Sequence, residues 1–179
     1  MNIFISGGAK NGKSTYAEQM AHSMASEKKL PLYYIATMIP HDREDEERIA
    51  RHRQQRAGMG FKTIECGTDI SNAISGKKGV FLLDSVTALL SNEMFGEGGE
   101  VAEDAYLKVA DDLAAVIGEH ENVVFVSDYI YSDAMSYGDL TEAYKRGLAY
   151  VDKTLAELCD KAVEVSFGFM EEYEKEDII

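Results

Sequence analysis

The stretch Gly7-Gly8-Ala9-Lys10-Asn11-Gly12-Lys13-Ser14 constrains this chain more than any other. It follows an apolar tract of strand type containing Ile3 and Ile5. It precedes a segment from Thr15 in which Tyr16, Met20 and Met24 recur every four residues, close to the helical period. A glycine-rich loop between a strand and a helix aims backbone N–H groups and the positive helix end at one point, which suits the phosphates of a nucleotide. Within such a loop Lys13 reaches the terminal phosphates and the Ser14 hydroxyl holds Mg²⁺. Chance places a lysine near a glycine turn in many loops, but it seldom supplies the fixed positions together with both flanks. The expectation is a nucleoside triphosphate site formed by Gly7, Gly8, Ala9, Lys10, Asn11, Gly12, Lys13, Ser14 and Thr15.

The remaining pattern predicts what surrounds that loop. Leu32–Ala36, the GFKTIE tract, the GVFLLD tract ending on Asp84, the NVVFVSD tract ending on Asp128, and AVEVSFG read as strands. Helical segments alternate with them: SVTALLSNEMF, a long amphipathic stretch marked by Val101, Ala105, Val109, Leu113 and Val116 after the glycine break at Gly96, Gly98 and Gly99, and Thr141–Leu158. Continuous apolar strands alternating with helices predict an α/β P-loop fold with a mainly parallel sheet covered by helices. Ligands in such folds sit beyond the C-terminal strand ends, which puts the loop, Asp84 and Asp128 on one edge. Asp84 then serves Mg²⁺, or it caps the helix that starts beside Ser85. Asp128 also has two readings, metal ligand or solvated loop acid.

With 179 residues and 45% hydrophobic residues, and no linker or repeat, the chain reads as one domain over 1–179. Its net charge of −14 disfavours a nucleic-acid partner. No apolar run is long enough to span a bilayer, and Cys66 and Cys159 suit a reducing compartment, so no membrane partner and a cytoplasmic location are expected.

Between Asp42 and Arg56 the chain is almost wholly charged, acids first and then Arg48, Arg51, Arg53 and Arg56. At helical spacing Arg48, His52 and Arg56 share a face, and guanidiniums beside an imidazole favour its neutral form and grip polyphosphate. A neutral imidazole can attack phosphorus, which makes His52 a candidate nucleophile. The plainer reading is a solvated helix whose charges complement its dipole.

The tracts FISGGAKNGKSTYAE, YIAT, RIARHR and LLDSVTALLSNEMF together resemble the bifunctional adenosylcobinamide kinase/adenosylcobinamide-phosphate guanylyltransferase family of cobalamin biosynthesis. The resemblance spans most of the first hundred residues. It implies a P-loop enzyme, assembled as a homotrimer, that phosphorylates adenosylcobinamide with a nucleoside triphosphate (ATP or GTP). It further implies transfer of GMP from GTP to that phosphate through a guanylylated histidine. On this sequence the histidine is His52, with Lys13 in the phosphate loop and Asp84 as the acid closing a motif strand. Arg51 stands where the paired-histidine version has its first histidine. Beyond residue 120 the family's Asn-Glu-Val-Gly run is Ser127-Asp128-Tyr129-Ile130, and its Arg, Gly, Asn and Gln positions are Lys145, Ala149, Asp152 and Lys153. Two other functions fit the loop: a kinase of a different small metabolite, which has no need of His52, and a nucleotide-responsive binding protein.

Overall fold

The computed structural model describes residues 1–40, 42–96, 101–132 and 135–175, with the side chains of Arg48 and Gln55 outside that description. Gly98 and Gly99 of the expected chain break therefore lie outside the described residues. A seven-stranded sheet has the order β3-β2-β4-β5-β1-β6-β7. Its strands are β1 (Ile3–Gly7), β2 (Leu32–Ala36), β3 (Lys62–Glu65), β4 (Val80–Asp84), β5 (Val123–Asp128), β6 (Lys161–Ser166) and β7 (Phe169–Glu174). All neighbouring pairs are parallel except β6 with β7. That last hairpin turns through Phe167 and Gly168, both at positive φ, a geometry that matches the twist of its strands. The family-like pattern had not suggested β7, whose six residues are all exposed.

Side chains alternate across each strand, so the sheet buries two apolar faces. Ile3, Ile5, Leu82, Val124, Val126 and Val163 pack with Ala17, Ala21 and Met24 of α1 (Lys13–Lys28). Phe4, Phe81, Leu83 and Phe125 face α4 (Val86–Met94), α5 (Ala105–Glu119) and α6 (Asp139–Leu158). Val101, expected on the stripe of α5, precedes that helix and is exposed, because the helix starts only after Asp104. The helices between β2 and β4 are α2 (Arg43–Gln55) and α3 (Ile70–Ile74). Among the described residues no helix is long and apolar enough to cross a membrane.

Candidate nucleotide site

β1 ends on Gly7, and the chain reaches α1 through a loop in which Lys10 and Gly12 both adopt positive φ. At φ 92 Gly12 occupies backbone space that a side chain resists, which explains glycine as the residue before Lys13. Gly7 is required for a different reason: an added Cβ would collide with the Asn11 amide and the Val165 carbonyl. Asn11 itself faces inward. Its Nδ2 donates to the Val165 carbonyl, and its Oδ1 accepts from the Lys13 backbone N–H at 3.2 Å, so it braces the loop against β6. The N-cap Gly12 has no side chain, and past the Lys13 N–H held by Asn11 the next N–H groups of the first turn, those of Ser14 and Thr15, lie at the helix end that favours an anion.

The Lys13 side chain is buried, with Nζ donating to the Gly8 carbonyl at 3.2 Å and to Asp128 Oδ1. Asp128 closes β5 and is paired in register with Gly7, so the acid lies directly beside the loop. Its backbone N–H donates to Thr87 Oγ1 at 2.9 Å. Sequence pattern treated Asp128 as a metal ligand or a solvated acid, and the structure instead engages it as the ionic partner of the loop lysine. Ser14 follows Lys13 in the first turn of α1 and Thr15 is exposed next to it.

Asp84 ends β4, the strand on the far side of β5 from β1. The edge therefore carries Gly7, Asp128 and Asp84 on three successive strands. The helix-cap alternative for Asp84 belongs to its neighbour: Ser85 Oγ accepts the Ala88 N–H at 3.2 Å and caps α4. The Asp84 carboxylate accepts instead from the Tyr34 hydroxyl, at 3.0 Å on Oδ2. The neutral phenol holds one oxygen without cancelling the carboxylate's charge, and a carboxylate at a strand end together with the Ser14 hydroxyl is the type of oxygen donor Mg²⁺ prefers. Among the described residues no cluster of three or more His, Cys, Asp or Glu forms a protein-only metal cage.

α2 is the expected charged helix, and its outer residues Arg43, Glu44, Glu46, Glu47, Arg51 and Arg53 are exposed. Asp42 caps it by accepting the Asp45 N–H at 2.9 Å, and acids fill its first turn while His52 and Arg53 sit in its last, as its dipole favours. His52 is half-buried. The arginines expected to grip phosphate separate into different roles. Arg53 pairs with Glu65 at the end of β3. Arg56 turns into the protein, with its guanidinium carbon 3.4 Å above the Tyr34 ring and Nη1 3.7 Å from Glu18 Oε1 of α1. Arg51 stays on the surface, and the Arg48 side chain lies outside the described residues. Burial pushes the Glu18 carboxyl up, with Arg56 pulling it back down. An acid at position 18 inside the apolar Ala17–Ala21–Met24 stripe was the signal that a buried cation had to meet it.

Behind the loop, α6 brings Asp152 against the sheet. It accepts from the Tyr131 hydroxyl at 2.9 Å on Oδ2, and burial pushes its carboxyl up to about 7, with Asp128 adding in the same direction. A cavity of about 570 Å³ between α6, β1 and the β6–β7 hairpin is lined by Ala149, Asp152 and Lys153 together with Tyr129, Tyr131 and Tyr173. Those three α6 residues are departures from the family pattern, and they fall on one ligand-sized space. The fourth departure, Lys145, is buried and lies 3.8 Å from Glu142.

Comparison with solved structures supports the architecture. The protein PH0250 of Pyrococcus horikoshii OT3 matches with TM-score 0.51 and 11% identity over 97% of this chain and 85% of that one. The ATPase domain of G40P matches with TM-score 0.51 and 13% identity over 91% and 68%. Among curated proteins, the bifunctional adenosylcobalamin biosynthesis protein CobP of Pseudomonas aeruginosa is 28% identical over 90% of both chains. The bifunctional adenosylcobalamin biosynthesis protein CobU of Escherichia coli is 32% identical over 59% of this chain and 57% of its own. The family model for cobinamide kinase/cobinamide phosphate guanyltransferase matches residues 3–172, nearly the whole chain, and the chain belongs to that family.

Proposed function

We propose that this chain runs the family's two reactions, cobinamide phosphorylation and guanylyl transfer, over one nucleotide edge. The observation that carries the reading is the Lys13 ammonium, buried at the loop between the Gly8 carbonyl and Asp128, with Asp84 one strand further along the same edge. A triphosphate entering the loop takes the place of those oxygen partners on Lys13. The α1 N-terminal N–H groups then hold its phosphates. Ser14 and Asp84 are the residues that would hold Mg²⁺, which supplies charge neutralisation on the phosphate oxygens when bound. In the first reaction Lys13 stabilises charge on the γ-phosphoryl group as it moves from ATP or GTP to the hydroxyl of the corrinoid substrate. In the second, a neutral His52 nitrogen forms a P–N bond to the α-phosphorus of GTP and the bond to pyrophosphate breaks. A phosphate oxygen of the phosphorylated corrinoid then attacks that phosphorus, takes GMP and frees the imidazole. Arg51, exposed and adjacent to His52, would meet a phosphate from the helix surface, whereas Arg53 on its other side is paired with Glu65. The family resemblance supports a homotrimer working in the cytoplasm.

Brief incubation with GTP and Mg²⁺, followed by intact-mass analysis and peptide mapping, tests this. The expected result is a GMP increment on His52 that is acid-labile and absent from His52→Asn, while phosphorylation of the corrinoid persists in that variant. Efficient GMP transfer with the adduct on another residue refutes the role of His52. Phosphorylation without any adduct or GMP transfer assigns the chain to the kinase-only reading, which the arginine at position 51 favours.

A further inference from the structure

The end of α2 next to His52 is tied to the body of the protein. The Arg56 N–H donates to the His52 carbonyl at 3.2 Å, and the Arg56 side chain is 6% exposed, inserted between the Tyr34 ring and Glu18. His22 of α1 adds a second tie, with Nδ1 3.0 Å from the Met59 carbonyl oxygen just beyond the helix. Tyr34 reaches the opposite way: its ring lies under Arg56, and its hydroxyl donates to Asp84 at 3.0 Å. Phe61 meets the same ring edge-on and limits its tilt. An unbroken set of contacts thus runs from the carboxylate at the end of β4, through the phenol and the guanidinium, to the helix end carrying the histidine.

We propose that Tyr34 and Arg56 are positioning residues that lock the Asp84 carboxylate and the His52 end of α2 into one unit. The proposal rests on the roles given above to Asp84 and His52. The chemistry suits these residue types. A guanidinium stacks flat on an aromatic face and is weakly hydrated, so it tolerates burial where a lysine ammonium does not. The phenol is a neutral donor that fixes one carboxylate oxygen without cancelling its charge. Arg56 therefore acts through its neighbours, in contrast with the phosphate grip that its spacing from His52 suggested.

The test uses Tyr34→Phe, Arg56→Lys and the double variant of the full chain. The readout is the Mg²⁺ dependence of binding of a fluorescent mant-GTP probe, with thermal midpoints recorded alongside. Each single change is expected to raise the Mg²⁺ concentration for half-maximal binding about three- to tenfold, as loss of a supporting contact to a ligand residue does. The double variant is expected to shift no further than the larger single, because both residues act in one series. Arg56→Lys is also expected to slow formation of the His52 adduct at least about tenfold. A lowered thermal midpoint with an unmoved Mg²⁺ titration makes Arg56 a purely structural residue and overturns the proposal, as do shifts that multiply in the double variant. If Arg56→Lys fails to fold, Glu18→Gln/Arg56→Met removes both buried charges and must show the same shift. Asp84→Asn separates the two levels: a flat titration in that variant removes the metal role, whereas a responsive Asp84→Asn beside a flat Tyr34→Phe and Arg56→Lys removes the positioning role alone.

Discussion

Replacing Asp152 with Asn should stabilise this protein at alkaline pH and leave it nearly unchanged in acid. Asp152 is 2% exposed on α6, and its carboxyl is raised from 3.8 to about 7, chiefly by burial. A carboxyl raised on folding binds its proton more tightly in the native state. Its contribution is therefore fully present below the unfolded value and is lost as pH rises through about 7. Over that interval, at about 1.4 kcal/mol per pH unit, the loss amounts to about 4 kcal/mol as an upper figure. Water entering beside the ionised side chain reduces it, so about 2–4 kcal/mol is expected at pH 8. Asn keeps the shape and the acceptor for the Tyr131 hydroxyl, and its amide carries no charge to desolvate. Asn is also the residue that the family resemblance places at this position. Urea denaturation at fixed protein concentration measures the effect: with a slope of about 2 kcal/mol/M, the variant's midpoint should exceed wild type by about 1–2 M at pH 8. The gap should narrow towards pH 5 and close only below about pH 4. A variant less stable than wild type at pH 8, or a gap of equal size at both pH values, would refute the reasoning.

Two further outcomes test the nucleotide edge. Lys13→Ala removes the buried ammonium from the loop and should weaken GTP binding at least about tenfold and transfer by about a thousandfold, the scale of a lost transition-state charge contact; calorimetric titration with unchanged affinity would displace the site. Asp84→Asn should raise the Mg²⁺ needed for half-maximal activity several-fold at unchanged fold stability, because Ser85 and not Asp84 caps α4; an unshifted Mg²⁺ titration would remove the acid from the metal site.

The phosphate loop was legible because its constraints are local. A strand, a turn with positive φ at Gly12 and a helix N-terminus are specified within a few residues, and the pattern of the strands carried the parallel sheet with it. The strand order was not local, and so the pairing of Asp128 with Lys13 escaped: it depends on β5 lying between β1 and β4. β7 escaped for another reason. Its six residues are exposed, so no buried face imposed an alternating pattern on FMEEYE.

Arg56 shows where periodicity misleads. Four residues beyond His52, it shares that residue's helical phase, but it is the first residue past α2, where the backbone leaves the helix and the side chain is free to turn. What decides its direction is an unpaired charge elsewhere: Glu18 is forced inside by the apolar residues around it on α1, and a buried carboxylate without a cation is costly. A guanidinium meets that charge and covers the Tyr34 ring at the same time, whereas Arg51 stays on the surface and Arg53 pairs there with the exposed Glu65. Arg53 and Arg56 are thus sorted by the acids of other elements. A reading that credited Arg53 and Arg56 with phosphate binding counted charges along one helix and left out the carboxylates waiting on β3 and α1.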